Sequence, residues 1–401
     1  MRTSVTCKPR RLPILALAGL LTFWSASAVP QRASTHPAAS VQDDDDEGPV
    51  CKKCRSEGRE PCPEHEKHEC ALEESVLFCS EVADCATCGG TGYVDCPFCD
   101  NDSVQSGLEK RRADIVRRGE KNAWLEKELG KKVRYAESEH FIVIWEMKDM
   151  KVDKVRKSPH EMLHLTIERM ERLFDLYLEK LGAREGDFAE KALVAIWWWP
   201  MDQEDASARL CGSTSSVGVK LYGGKPRYST CGAKQNFKDD EALHQSLVHN
   251  VAHLLLSHQR PSYWIGNDRK GWADAGVAHW FEYELSGTCR NYCYEEQNTK
   301  RDFKGGKFKV GVRKLVALGK QASMSSVMQK QTTELTPDEH ALAFSYVDYL
   351  MQKDGKALNK LLIQLRERRE TRDALQDTFG ISILEFEELW KAWVLETYPT
   401  R

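Results

Sequence analysis

The clearest alternation of hydrophobic and polar positions lies in residues 133–401. Residues 133–145 end in a β-rich run and predict a strand. Apolar residues recur at helical spacing through 160–181, and the apolar run at 192–199 predicts a buried strand. Residues 201–236, rich in Gly, Ser and Thr, predict loops and short strands, and a mainly helical pattern follows. This order of elements predicts an α+β domain.

The first 28 residues have the parts of a secretory signal peptide. A basic segment precedes the apolar run 12–24, which is short for a membrane-spanning helix. Ala26 and Ala28 supply the small residues that a signal peptidase requires, so cleavage is expected after Ala28. The protein is therefore expected to be exported to the periplasm, the cell envelope or the medium. An uncleaved N-terminal anchor is the alternative interpretation.

Composition narrows the possible partners. The chain has 58 basic and 61 acidic residues, and this near-neutral balance argues against a general nucleic-acid binder. Hydrophobic residues make up 41% of the sequence, which is enough for a substantial core. Beyond the N-terminal run, no stretch is apolar enough to predict a membrane span, so none is expected in the mature chain.

Cysteines provide the first chemical signal. Nine of the 14 fall within residues 51–100, which we call the cysteine module, and six of these form C-x-x-C pairs: Cys51/Cys54, Cys85/Cys88 and Cys96/Cys99. A C-x-x-C turn points two thiolates at one ion about 2.3 Å from each sulfur, and two such turns close a structural zinc site. The spacing therefore predicts structural zinc. Disulfides are the alternative, because the protein is expected to be exported.

The middle pair gives the module a family resemblance. The sequence Cys85-Ala-Thr-Cys88-Gly-Gly-Thr-Gly92 matches C-x-x-C-x-G-x-G and resembles the cysteine-rich zinc domain of DnaJ-type co-chaperones. In that family the outer pairs share one zinc ion and the inner pairs share another. The resemblance implies a first site of Cys51, Cys54, Cys96 and Cys99. It also implies a second site of Cys85 and Cys88, completed by Cys62 and Cys70 or by alternatives among His65, His68 and Cys79. No J-domain precedes the module, so a co-chaperone role is not implied.

Two polar segments flank the cysteine module. Residues 29–50 are rich in Ala, Ser, Pro and Gln, end in an acidic run and predict a disordered linker. Residues 101–132 are rich in Lys, Arg and Glu and predict a solvated helical connector. The expected organisation is therefore a signal peptide at 1–28, the linker, the module, the connector and a domain at 133–401.

A second metal-binding pattern lies within the helical part of that domain. His249 and His253 are four residues apart, so they share one face of a predicted helix. In the H-E-x-x-H motif of zinc peptidases, two such histidines bind zinc and the glutamate activates a metal-bound water. The glutamate position is Asn250 here, and an amide cannot accept the proton of that water.

A downstream segment strengthens the resemblance to zinc peptidases. The sequence Gly271-Trp-Ala-Asp-Ala275-Gly-Val-Ala278 resembles the second motif of gluzincin (thermolysin-like) peptidases, in which W-x-x-E-G-x-A supplies a glutamate ligand. The ligand position is Ala275. The resemblance extends over about 133–401 and implies a gluzincin-like fold. Asp274 could replace the lost ligand after a small helix rotation, and His244 and His279 are further candidates.

Two functions of different classes follow from these residues. The loss of both carboxylates favours a non-catalytic peptidase-like domain that binds or scaffolds a protein or peptide partner, alongside an N-terminal zinc module. The alternative is an active, divergent zinc metallopeptidase whose base and third ligand come from elsewhere. Outside the module, the cysteines that could form disulfides are Cys211, Cys231, Cys289 and Cys293.

Overall fold

The computed structural model describes most of the chain from residue 51 onward. The described residues are 51–55, 57–65, 76–98, 102–235, 237, 239–292 and 303–401, and only the backbone of His65 is described. The expected signal peptide and linker lie outside these ranges. Four candidate ligand or disulfide residues also lie outside them: His68, Cys70, Cys99 and Cys293.

The described residues form ten strands and twelve helices. The strands are β1 (Arg59–Pro61), β2 (Phe78–Cys79), β3 (Tyr93–Asp95), β4 (Tyr135–Glu137), β5 (Phe141–Glu146), β6 (Met150–Val152), β7 (Val155–Lys157), β8 (Ala192–Trp197), β9 (Gly218–Leu221) and β10 (Arg227–Cys231). The helices are α1 (Asp102–Asn122), α2 (Trp124–Leu129), α3 (Pro159–Leu181), α4 (Pro200–Cys211), α5 (Gly232–Gln235), α6 (Asp240–His258), α7 (Gly271–Ser286), α8 (Phe308–Ala317), α9 (Met324–Val327), α10 (Pro337–Arg366), α11 (Thr371–Phe379) and α12 (Ile383–Thr397).

Six of the strands form one mixed sheet in the order β2-β4-β5-β8-β10-β9. Strands β5, β8 and β10 run parallel, whereas β2, β4 and β9 join the sheet by antiparallel pairing. Helix α3 connects β5 to β8, as parallel strands require a crossover. The chain is thus a mixed α and β protein with a mixed sheet, in keeping with the predicted α+β class.

Side chains of the central strands alternate between two cores. In β5, Phe141, Val143 and Trp145 belong to the larger core, which also contains the buried faces of α3, α6, α7 and α10. Ile142 and Ile144 belong to a smaller core on the opposite face, with residues of α1, α2 and α4. This alternation, which the two-residue period of a strand produces, gives a sheet with helices on both faces.

Helix α4 occupies the start of the segment in which only loops and short strands were predicted. Pro200 ends the apolar strand run, but it also stands at the first position of α4, where its missing N–H costs nothing. Gly212 ends the helix with φ = 66°. The prediction of loops from residue 201 was therefore wrong for the first eleven residues, because Pro200 both ends the strand run and begins a helix.

The expected connector is helical, but it is not solvated on all sides. Leu108 and Ile115 of α1 are buried, and Arg118 and Asn122 both donate hydrogen bonds to the fully buried carboxylate of Glu137. Strand β2, inside the cysteine module, pairs with β4. The module and α1 are therefore parts of the same packed structure as the sheet.

Helix α7 lies at the centre of the helical layer, against both α6 and α10. Trp272 and Phe281 are fully buried in this layer. A Cβ atom at Gly276 would lie 2.5 Å from the carbonyl oxygen of Ala343, so glycine allows α7 and α10 to approach closely. None of the described helices is both long and apolar enough to span a membrane.

Candidate metal centres

The first cysteine cluster combines the ends of the module. Cys51, Cys54 and Cys96 are buried, and their sulfur atoms lie within 4.8 Å of one another. Antiparallel pairing of β1 with β3 brings Cys96 next to the first pair, and its N–H donates to Gly58 O at 3.0 Å. The Sγ atoms of Cys51 and Cys96 are 3.9 Å apart. A tetrahedral zinc–thiolate site separates two sulfurs by about 3.8 Å, whereas a disulfide holds them about 2.05 Å apart.

The second cluster consists of Cys62, Cys85 and Cys88, whose sulfur atoms also lie within 4.8 Å of one another. The backbone turns sharply after Cys88 through Gly89 and Gly90, with φ values of 61° and 79°. A Cβ atom at Gly90 would lie 2.9 Å from the Cα of Ala83, so this turn accepts only glycine. The glycines of the C-x-x-C-x-G-x-G pattern thus shape the turn that carries the ligands.

Thiol pKa values in both clusters show what an ion would change. Burial and then the neighbouring Cys88 raise the pKa of Cys62 to about 11. Burial, with Cys54 and Cys51 among the further causes, raises the pKa of Cys96 to about 11. Burial would also raise the pKa of Cys85, but backbone N–H donors lower it. A bound cation favours thiolates at all of these positions, so metal binding would release protons.

The structure places most, but not all, of the described candidate ligands in these clusters. None of the ten described cysteines forms a disulfide, and both clusters could hold a metal ion. The implied fourth ligand of the first site, Cys99, lies outside the described residues, as does Cys70 of the second. Cys62 joins the second cluster. Cys79 does not, because it lies against His160 and His164 of α3.

Helix α6 carries His249 and His253, the two histidines spaced four residues apart. The side chain of Asp239 caps its first turn by accepting from the N–H of Ala242. His249 and His253 are fully buried on one face, and their ring centroids are 4.9 Å apart. Asn250, at the position of the lost glutamate, accepts from Lys220 Nζ at 2.7 Å.

His253 of α6 is paired with a carboxylate of α7. Nδ1 of His253 lies 3.0 Å from Oδ1 of Asp274. Oδ2 of that carboxylate accepts from Trp264 Nε1 at 3.1 Å and Thr332 Oγ1 at 2.8 Å. Burial would raise the pKa of Asp274, but His253 and the two other donors lower it. Asp274 is therefore a hydrogen-bonded partner of His253 and is not grouped with His249.

His249 of α6 faces different residues of α7. His249, His279 and Glu282 are fully buried, and one ligand atom from each lies within 4.8 Å of the others. Oε2 of Glu282 is 3.2 Å from Nδ1 of His249 and 3.6 Å from Nδ1 of His279. Oε1 accepts from Arg290 N, Asn291 N and Asn291 Nδ2, at 2.7, 3.1 and 2.7 Å. Although burial would raise the pKa of Glu282, the two histidines hold it at about 2.

Two histidines of this region differ from the prediction: one predicted ligand lies outside the cluster, and one residue beside the cluster was not predicted. His244, a candidate ligand, lies apart from the cluster near Arg169, and burial lowers its pKa to about 4. His340 of α10 was missed, although its Nδ1 is 3.2 Å from Nε2 of His279. No motif could have revealed it, because packing of α10 on α7 brings the two residues together. Ala275, at the lost ligand position, is fully buried.

The described candidate disulfide cysteines lie in separate environments. Cys211 packs in the smaller core, and burial raises its pKa to about 11. Cys231 donates to Trp198 O at 3.4 Å, and Cys289 donates to His279 O at 3.2 Å. These contacts give each thiol a local role in its core.

His249, His253, His279 and Glu282 of the α6–α7 centre are fully buried. The structure has a cavity of about 230 Å³ between α3 and α6 and a cleft of about 800 Å³ beside the cysteine module, and neither is lined by His249, His253 or Glu282. Hydrolysis needs a metal with a coordination position that substrate or water can reach.

Comparisons with protein-family models and with curated proteins found no match for this chain.

Proposed function

We propose that this protein is an exported scaffold or binding protein, in which a gluzincin-like domain without peptidase activity is joined to a zinc-stabilised cysteine module. The proposed partner is a protein or peptide. The peptidase-like helices α6 and α7 supply a rigid frame, and the cysteine clusters hold the N-terminal part of that frame in place. Export, with cleavage after Ala28, is part of the proposal and rests on the sequence of residues 1–28.

The observation that carries the non-catalytic assignment is the environment of Asn250. Its Oδ1 accepts from Lys220 Nζ at 2.7 Å, and its Nδ2 donates to Ser246 O at 2.8 Å. The Oδ1 end of the amide therefore links α6 to β9, whereas the Nδ2 end is used in a bond within α6. A general base must accept a proton from water near the metal, and an amide engaged in this way cannot do so.

The remaining polar groups of the centre support the same proposal. Ala275 offers only a methyl group, so it contributes no ligand. Glu282 accepts three hydrogen bonds at one oxygen and faces two histidines with the other. Asp274 binds His253, Trp264 and Thr332. We propose that these groups form a buried polar cluster that holds α6 and α7 together without a metal ion.

Zinc is the proposed ion of the two cysteine clusters. Thiolate ligands favour zinc over hard cations such as magnesium and calcium. Among the described residues, Cys51, Cys54 and Cys96 form a buried cluster without a large apolar side chain, so a metal or disulfides are needed to stabilise this end of the module. The 3.9 Å separation of Cys51 and Cys96 Sγ favours the metal over a disulfide.

The activity test is peptide hydrolysis by the full mature chain with zinc added. We expect no turnover from the wild type. The variant Asn250→Glu/Ala275→Glu restores the two lost carboxylates, and any activity it gains would show that the frame is peptidase-like. Asn250→Gln/Ala275→Gln is the matched control, since it adds similar volume without a base or an anionic ligand.

The alternative is an active divergent metallopeptidase. One observation favours it: His249, His279 and Glu282 lie close enough to bind one ion. Wild-type cleavage of peptides that disappears in both His249→Ala and His279→Ala would establish this alternative and overturn the proposal.

A further inference from the structure

We propose that Cys79, His160 and His164 form a third zinc site, which joins the cysteine module to the first helix of the domain. This site is separate from the two C-x-x-C clusters and from the α6–α7 centre. It does not depend on whether the domain is a peptidase relative.

Two independent elements bring the ligands together. Cys79 ends β2, whose pairing with β4 places Cys79 opposite Ala136 at the edge of the large sheet. His160 and His164 lie in the first two turns of α3, four residues apart and therefore on one helix face. Their rings are stacked, with centroids 4.7 Å apart and planes at 17°. The sequence separation of Cys79 and His164 is 85 residues, so only the tertiary fold creates this cluster.

The distances fit a tetrahedral zinc ion. One ligand atom from each of the three residues lies within 4.8 Å of the others. Nε2 of His164 is 3.5 Å from Sγ of Cys79. Zinc bound at its usual distances to one sulfur and one imidazole nitrogen, with tetrahedral angles, separates those atoms by about 3.6 Å. The observed separation therefore needs little adjustment on metal binding.

A carboxylate orients the other imidazole. Oε2 of Glu81 contacts Nδ1 of His160 and leaves Nε2 as the nitrogen that can face an ion. Oε1 of Glu81 accepts from Arg134 Nε at 2.7 Å, so the carboxylate is itself held in position. Metal-binding histidines usually donate their second ring N–H to such a carboxylate, which fixes the ring and strengthens the ligand.

The cluster is protected and yet close to solvent. Cys79, His160 and His164 are 5%, 7% and 3% exposed. His160 and Glu81 also line the cleft of about 800 Å³ beside the module. An ion can therefore reach the site from the cleft, while the thiolate stays shielded from oxidants. A mixed sulfur and imidazole set suits zinc, which tolerates both ligand types.

The first experiment counts zinc in the full mature chain by native mass spectrometry. We expect His164→Ala to carry one zinc ion fewer than the wild type. His140→Ala is the matched control, because His140 stacks on Phe174 of the same helix and pairs with Glu171, but lies outside the cluster. We expect it to retain the wild-type count. Equal zinc content in His164→Ala and wild type would overturn the proposal and leave only a thiol–imidazole hydrogen bond.

A second experiment uses the wild type and so does not depend on how well a variant folds. Cadmium-113 NMR of the cadmium-loaded chain separates ions by the number of sulfur ligands. We expect a resonance from an ion with one sulfur and nitrogen ligands, distinct from those of the sulfur-rich clusters. A spectrum that contains only sulfur-rich resonances would overturn the proposal.

Discussion

The cysteine module and the α6–α7 helix pair both bring together side chains that can bind a metal ion, but they do so in different surroundings. In the module, Cys51, Cys54 and Cys96 form a small buried cluster of their own, which contains no other apolar residue among those that the structure describes. In the helix pair, His249 and Glu282 are fully buried, Nδ1 of His249 lies 3.2 Å from Oε2 of Glu282, and Oε1 of Glu282 accepts from Arg290 N. We infer that the surroundings decide whether such groups need an ion, because α6 and α7 pack closely against each other in the larger core.

Metal removal should separate the two regions most strongly. Structural zinc contributes about 10–16 kcal/mol to small zinc-dependent folds. We therefore expect a chelator to abolish amide protection at Cys62 and Cys96, whose N–H groups join the two halves of the module. Amides in the middle of α6 should keep theirs. Hydrogen exchange with mass spectrometry measures both in one sample, and equal loss in the two regions would contradict the comparison.

Core truncation should affect the helix pair. Phe281 is fully buried in α7, and replacing a buried phenylalanine by alanine costs about 3–5 kcal/mol. We expect Phe281→Ala to lower the free energy of unfolding by this amount in urea denaturation, with unchanged zinc content. Trp199→Ala is the control: Trp199 is 58% exposed, so its removal should change stability by no more than about 0.5 kcal/mol.

The close approach of α7 and α10 can be tested by adding one methyl group. Gly276→Ala would place a Cβ 2.5 Å from the Ala343 carbonyl, and overpacking of this kind costs about 1–3 kcal/mol. Gly107→Ala adds the same methyl group to α1, where nothing lies within 4 Å, and should stabilise the helix by up to about 1 kcal/mol. Opposite signs in thermal unfolding are the expected result, and equal effects would refute the packing argument.

Acid should weaken the helical layer through His244. Its folded pKa is about 4, below the ordinary histidine value, because burial disfavours the charged ring. The stability it contributes is complete above pH 6.5 and is lost as the pH falls toward 4. Between pH 7 and pH 5 the loss is about 2 kcal/mol. His244→Gln should reduce the fall in unfolding free energy over this range by that amount, and an unchanged fall would show that His244 titrates normally.

The sequence predicted those parts of the fold that depend on local periodicity. The helix expected at 160–181 is α3, and the strand expected from 192 is β8, because each has one buried face or a continuous apolar run. Helix α4 was missed since Pro200 is compatible with both a strand end and a helix start. Local pattern could not decide between them.

The sites were predictable only where ligands are near in sequence. The C-x-x-C spacing predicted Cys85 and Cys88 as ligands of one site, and the structure places both in one cluster. Gly89 and Gly90 form the sharp turn that follows this pair. The pair His160 and His164 has the same spacing as His249 and His253 and was overlooked, because no known motif surrounds it. Its connection to Cys79 comes from the pairing of β2 with β4, which no sequence pattern indicated.

The most direct test of the whole account is the zinc count of the wild-type chain beside that of His249→Ala/His279→Ala. Zinc is proposed at the two cysteine clusters and at the site formed by Cys79, His160 and His164. No zinc ion is proposed between α6 and α7. Native mass spectrometry should therefore find three zinc ions in both proteins. A wild-type count that falls by one in the double variant would contradict this expectation, because it would place a metal ion between α6 and α7.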